Sequence, residues 1–297
     1  MRLQSMKKRV ATFAATAVIS SLGAASLGLS PAAAAVPSAQ TTTAFCVNVP
    51  AGFGGFTDIA TSIHKKPIEC IAFAEITTGK TATLYAPSDG VTRGQMASFI
   101  ARAIDKVNEL EKIDFPELPA SPPDKFTDDE TSVHEANINR LAAAGVVSGK
   151  TATVFAPSEI VTRGQMASFI SNTQKFLTGG TPLTSTEDYF VDDETSVHEA
   201  NINGLAAAGV TAGIDSTHYG PSLPVLRANM ATFIARYLAA LHKAGNIEPL
   251  PADVATNATI TFTPTTDERR TIAAEPSQAD DRIYTATGLA ATPHRVT

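Results

Sequence analysis

Apolar residues return at helical intervals along this chain, and the helices they predict come in pairs. In residues 124–177, Ile138, Leu141 and Ala142 face one side of a first helix, and Gly145 follows as its stop. Met166, Phe169 and Ile170 give the buried stripe of a second. Between them, Thr153-Val154-Phe155 reads as a short extended piece and Ala156-Pro157-Ser158 as a turn. Ser132 followed by Glu135 predicts a capping box, and Ser196 with Glu199 repeats it. Thr162 suits the N-cap of the second helix, with Gln165 reaching back and Val161 and Met166 placed as a hydrophobic staple.

This unit occurs three times. Phe56 leads to Arg93, Phe126 to Arg163 and Phe190 to Arg227, each pair 37 positions apart. Val91, Thr92, Gln95, Met96, Phe99 and Ile100 repeat the second helix start in the first copy. The third copy departs from it: Leu226 stands where Thr is expected and Asn229 where Gln is, which weakens that helix start by ~1 kcal/mol. Equal internal spacing with uneven spacers predicts three helix-loop-helix units that stack, because one alone is too small to bury a core well. The fold class is therefore mainly α, with short strand pieces. The units span 53–110, 124–177 and 187–243, with a Pro-rich linker at 111–123 and a Gly/Thr-rich one at 178–186. In the tail, residues 246–297, ATITFTP and RIYTATG alternate as strands do, which leaves open a β stub or a disordered segment.

Charge and cysteine usage place the protein. Residues 1–35 read as a secretory signal: Arg2, Lys7, Lys8 and Arg9, then an uncharged stretch from Val10 to Leu29, then Ala33-Ala34-Ala35 before Val36. Residues 36–52 are an N-terminal segment of the mature chain. Losing the four basic residues takes the formal charge from −6 to −10. So acidic a protein is a poor partner for nucleic acid or an anionic membrane, but a few placed arginines can still hold an anion. Export favours a disulfide between Cys46 and Cys70, a local staple for the N-terminal edge, over the competing reading of two free thiols.

Arginine at the first helical position carries the sharpest chemical signal. Arg93 and Arg163 sit where the helix dipole disfavours a cation. A guanidinium beside free N–H groups at a helix start is an anion site for a carboxylate or phosphate; the competing reading pairs each Arg with a carboxylate such as Asp128 or Glu159. His64, His134 and His198 invite a metal, but a half-buried position at a helix start explains them without one. Asp128-Asp129-Glu130 and Asp192-Asp193-Glu194 lack the alternation of a calcium loop and read as caps. Ser148-Gly149-Lys150-Thr151 lacks the glycine spacing of a phosphate loop. No nucleophile–base–acid set is visible, and no metal or cofactor is expected.

Phe126-Thr127-Asp128, the Ile138 to Gly145 helix, Phe155-Ala156-Pro157 and Thr162-Arg163 through Phe169-Ile170, in this order and in three copies, resemble the S-layer homology domain. The likeness covers roughly residues 53–243. It implies a pseudo-threefold assembly around a central helical bundle with grooves between units. It also implies non-covalent attachment of an exported protein to an anionic secondary cell-wall polysaccharide, often one bearing a pyruvate ketal. Carried over, the family's contact motif marks Thr92, Arg93, Gln95, Thr162, Arg163, Gln165 and Arg227. This chain departs from the family in having Gln95, Gln165 and Asn229 where Glu is common, and the three histidines where an aromatic is common. The expected function is a non-catalytic wall anchor at the cell surface. The alternative is an adhesion or surface-lattice protein whose repeats bind other protein chains or one another.

Overall fold

A computed structural model describes residues 34–252 and short backbone stretches between 259 and 296. The leader expected over 1–35 lies outside the described residues except for Ala34 and Ala35. Contacts divide the chain into residues 1–250 and residues 251–297.

The first unit contains α1 (Lys65–Phe73), α2 (Arg93–Glu109), α3 (Glu135–Ala143), α4 (Arg163–Leu177), α5 (Glu199–Ala207) and α6 (Arg227–Lys243). Each repeat contributes a nine-residue helix and a longer one. A nine-residue helix buries too narrow a stripe to hold itself, so it needs a partner. That partner comes from another repeat: α3 packs on α2, α5 on α4, and α1 on α6, which closes the ring. The long helices α2, α4 and α6 meet one another at the centre.

Three valines lock the closure. Val91 N donates to Val225 O (2.9 Å), Val225 N to Val161 O (2.8 Å) and Val161 N to Val91 O (2.9 Å). All three side chains are fully buried. The short strand pieces lie here, as bridges Gly90–Leu226, Thr92–Ile160 and Thr162–Pro224. They do not lie at Thr153-Val154-Phe155, where Lys150 N turns back to Val154 O and closes a loop instead.

Local chemistry explains the rest. Thr92 and Thr162 each accept a hydrogen bond from the Gln three residues on, and each Gln side chain accepts from the cap's own N–H, so both capping boxes are complete. Leu226 caps nothing with its side chain. The first helices start differently from expectation. Ser132 and Ser196 accept from the N–H groups of His134 and His198, two residues on, and Glu135 and Glu199 are the first helical residues. A tight turn, closed by Ser132 N to Asp129 O (2.7 Å), takes up the length a capping box would have used. Gly145, at φ +71°, ends α3 as expected.

The Asp of each Phe-x-Asp element clamps the loop before the second helix. Asp128 accepts from Phe155 N (2.8 Å) and Ala156 N (2.7 Å). Asp58 and Asp192 do the same for Tyr85-Ala86 and Tyr219-Gly220. The clamp holds Ala86 and Ala156 at positive φ, a conformation L side chains resist. Behind it the aromatic pairs Phe56–Tyr85, Phe126–Phe155 and Phe190–Tyr219 pack at 5.3–5.5 Å.

In residues 251–297, β1 (Thr259–Pro264) lies between β2 (Arg270–Ala273) and β5 (His294–Val296), both antiparallel, and β3 (Glu275–Pro276) pairs with β4 (Tyr284–Thr285). Most of RIYTATG lies outside the described residues. Among those described, no helix is long and apolar enough to cross a membrane.

Candidate functional site

Each of the three arginines crosses into the next repeat. Arg93 Nε donates to Phe155 O (2.8 Å), Arg163 Nε to Tyr219 O (2.7 Å) and Arg227 Nε to Tyr85 O (2.7 Å). Each guanidinium lies over the ring of the same aromatic residue at 4.5–4.6 Å. All three are buried. Burial lowers the pKa of Arg93 and Arg163 below the usual guanidinium range, partly offset by neighbouring anionic groups.

The helix starts beneath them are occupied. Arg93 N donates to Glu159 O and Gly94 N to Pro157 O, and α4 and α6 repeat this with Leu223 and Pro221 and with Asp89 and Pro87. The first N–H groups of each long helix therefore bond a carbonyl of a neighbouring repeat and are not free for an anion. Arg93, Arg163 and Arg227 are structural members of the joints, so replacing one by Ala removes stability as well as charge.

The three forks end differently. Arg93 Nη2 donates to Ser148 O (3.0 Å). Arg163 Nη2 and Arg227 Nη2 are buried and have no acceptor among the described residues. An orphaned buried donor on a cation is costly, and it marks where an acceptor is wanted.

Two clefts open between repeats. The smaller, about 170 Å³, is lined by Arg93, Val146 to Ser148, Gln165, Ser168, Phe169, Asn172 and His198. The larger, about 530 Å³, has the equivalent wall of Arg163, Val210 to Gly213, Asn229, Thr232, Phe233, Arg236 and His64. It adds Ile63, Lys66 and Pro67 from the first repeat and Ala39 to Thr43 from the N-terminal segment. Each cleft is thus assembled from three repeats: the Arg of one, the loop and long helix of the next, and the His of the one after. Gln165 lines the smaller cleft, whereas Thr92 and Thr162 serve as caps, Gln95 closes a capping box, and Arg227 lines neither cleft.

The larger cleft is cationic. Arg163, Arg236 and Lys66 line it and no carboxylate does. Arg236 makes no hydrogen bond or ion pair among the described residues, and burial lowers its pKa. Sequence reading missed Arg236 and Lys66, because Asn172 and Arg102 hold the equivalent places of Arg236 and only ring closure shows which repeat faces the cleft.

The histidines sit in three separate joints. His134 Nδ1 meets Ser98 Oγ (2.8 Å), His198 Nδ1 meets Ser168 Oγ (2.8 Å) and His64 Nδ1 meets Thr232 Oγ1 (2.7 Å). Burial depresses the pKa of each, and Arg236 and Arg102 lower His64 and His134 further. Close approach explains Gly164 beside His198: a Cβ there would stand 2.7 Å from the imidazole. Among the described residues no group of three or more His, Cys, Asp or Glu could hold a metal ion. Cys46 and Cys70 are bridged, with Cα atoms 5.7 Å apart.

The profile of the S-layer homology domain family matches residues 55–97, 125–167 and 192–231, the three repeats described above. An endoglucanase of Bacillus sp. (strain KSM-635) is 31% identical over 123 residues, 41% of this chain. The matching region spans only 12% of that protein's length.

Proposed function

Since the chain belongs to the S-layer homology domain family and carries three copies, a family of cell-surface anchoring modules, we propose that it is exported and held on the cell wall by binding an anionic secondary cell-wall polysaccharide, with a pyruvate ketal as the acidic group. The carrying observation is the larger cleft: Arg163, Arg236 and Lys66 converge in an acid-free lining on a protein whose formal charge is −6. Arg163, Arg236 and Lys66 supply two guanidinium groups and an ammonium to the lining that a carboxylate would meet. Arg93 and Gln165 give the smaller cleft a weaker version of the same site. The likeness to a short segment of an endoglucanase supports a module carried by proteins of different kinds, and residues 53–243 act without catalysis.

Cell-wall pull-down tests this. Because Arg163 also holds a joint, the informative variant is Arg236→Gln with Lys66→Gln, which removes charge from the cleft and leaves the joints intact. Its expected effect is at least tenfold weaker retention on purified walls, equal to that of the native protein on walls stripped of secondary polysaccharide. Undiminished retention overturns the reading.

A further inference from the structure

The larger cleft is lined in part by a segment outside the three repeats. The N-terminal segment is tied to the third repeat at one end: Gln40 N donates to Gly209 O (2.7 Å) and Gln40 Nε2 to Ala208 O (3.2 Å). At the other end Phe45 is fully buried, Leu250 N donates to Phe45 O (3.0 Å), and the next residue, Cys46, is bridged to Cys70 on α1. Residues 39–43 therefore span the joint between the third and first repeats under restraint at both ends. The Arg93 cleft has no such segment, and its volume is about a third as large.

What this strap presents is informative. Thr41 and Thr43 are exposed, Thr42 is half-buried, and all three line the cleft. Their hydroxyls have no partner among the described residues. Asn229, Thr211 and Thr232 line the same cleft. Neutral hydroxyl and amide groups in one lining suit the hydroxyls of an uncharged sugar, and the cations suit an acidic one.

We propose that the Ala39–Thr43 strap forms a second subsite of this cleft, which binds the neutral sugar adjoining the acidic residue. The larger cleft thereby takes a disaccharide of the polymer and the Arg93 cleft a single acidic sugar. This rests on the glycan reading above. Restraint at both ends matters because a wall ordered before binding costs no further ordering when the sugar arrives.

Calorimetry on the full disulfide-bonded protein separates the two ideas. The probes are the methyl glycoside of a 4,6-pyruvate-ketal hexose and a disaccharide carrying that residue at its non-reducing end. The native protein should bind the disaccharide about tenfold more tightly, the worth of two or three added hydrogen bonds. Thr41→Val, Thr42→Val and Thr43→Val together should abolish that gain. Arg236→Gln with Lys66→Gln should weaken both probes. If the valine variant keeps the full gain while the charge variant loses both sugars, the strap subsite is wrong and the glycan reading stands. If the native protein binds neither probe, or the charge variant binds both undiminished, the glycan reading fails and the strap with it.

Discussion

Ile59, Asp129 and Asp193 hold the same place in their repeats, three positions after the Phe that begins each. All three are buried: Ile59 is 1% exposed and the two Asp residues 0%. All three close the same turn, with Ser62, Ser132 and Ser196 donating their N–H to the main-chain carbonyl. The turn therefore does not require the carboxylate. In the first repeat the side chain joins the core; in the other two, neither carboxylate oxygen has a hydrogen-bond partner. Burial, then the nearby Asp124, pushes Asp129 up to about 6, with Glu135 and Asp128 adding to it. Burial, Asp188, Glu199 and Asp192 push Asp193 up to about 7. The difference teaches that one backbone frame tolerates either a packed aliphatic group or a carboxyl that must be desolvated, and that only the second makes stability depend on pH. Nothing in the structure explains why the carboxyl is there.

The harshest way to break the comparison is to make the first repeat like the others. Ile59→Asp removes a packed aliphatic group and buries a charge, so it should destabilise the protein by about 3–5 kcal/mol at pH 8. Denaturant titration reads this directly. A loss under about 1 kcal/mol would mean that the frame relaxes around any side chain and that Asp129 and Asp193 cost nothing.

Breaking the first repeat's other distinction comes next. Only that repeat carries a disulfide, and opening its loop with Cys46→Ser and Cys70→Ser should cost about 3 kcal/mol in the chain-entropy model. The chemical denaturation midpoint should fall by a matching amount. No change in the midpoint would show that Phe45 and Gln40 hold the N-terminal segment without the bridge.

The reverse substitution sharpens the comparison. Asp193→Ile should stabilise the protein by about 2 kcal/mol at pH 8. A raised carboxyl pKa means that the folded state holds its proton more tightly than the unfolded chain does. That contribution is in place at low pH and is lost as pH rises through about 6 for Asp129 and about 7 for Asp193. Between pH 6.5 and 8 the native protein should therefore lose stability relative to Asp193→Ile, which lacks that carboxyl and keeps the same histidines. Below the ordinary imidazole pKa, 6.5, the depressed His64, His134 and His198 act the other way, since protonating them favours the unfolded chain. An unaltered slope in the variant between pH 6.5 and 8 would remove Asp193 as its source.

Much of the fold could be read from residues, because its instructions are local. Thr92 with Gln95, Gly145 as a stop and the 37-residue phase from Phe to Arg all act within one repeat, and the Cys46–Cys70 pair spans only 24 residues. What could not be read depends on closure. The acidic runs look like solvated caps, and Asp128 does clamp a loop, yet Asp129 beside it is buried. Arg93 and Arg163 mark the clefts, but half-buried Arg236 and exposed Lys66 add charge to the larger one, and only the ring places the first repeat against the third. The free N–H groups expected at the helix starts were lost for the same reason: a neighbouring loop supplies carbonyls that no single repeat contains.

The smallest expected effect concerns the third repeat alone. Leu226 has the same extended backbone as Thr92 and Thr162, with φ −82° and ψ 153°, so a Thr there meets no new backbone demand. Its hydroxyl would accept from the N–H of residue 229, which no side chain satisfies now. Leu226 is half-buried, so the hydroxyl comes at the loss of some apolar contact. Leu226→Thr with Asn229→Gln rebuilds the full box and should add about 1 kcal/mol, read as a small rise in Tm. Arg227 stays bonded to Tyr85 in either case, and because Asn229 lines the larger cleft the variant is read by stability and not by glycan affinity. A fall in Tm would show that Leu226 contributes more by packing than a cap supplies, and that the third repeat has its own solution to the helix start.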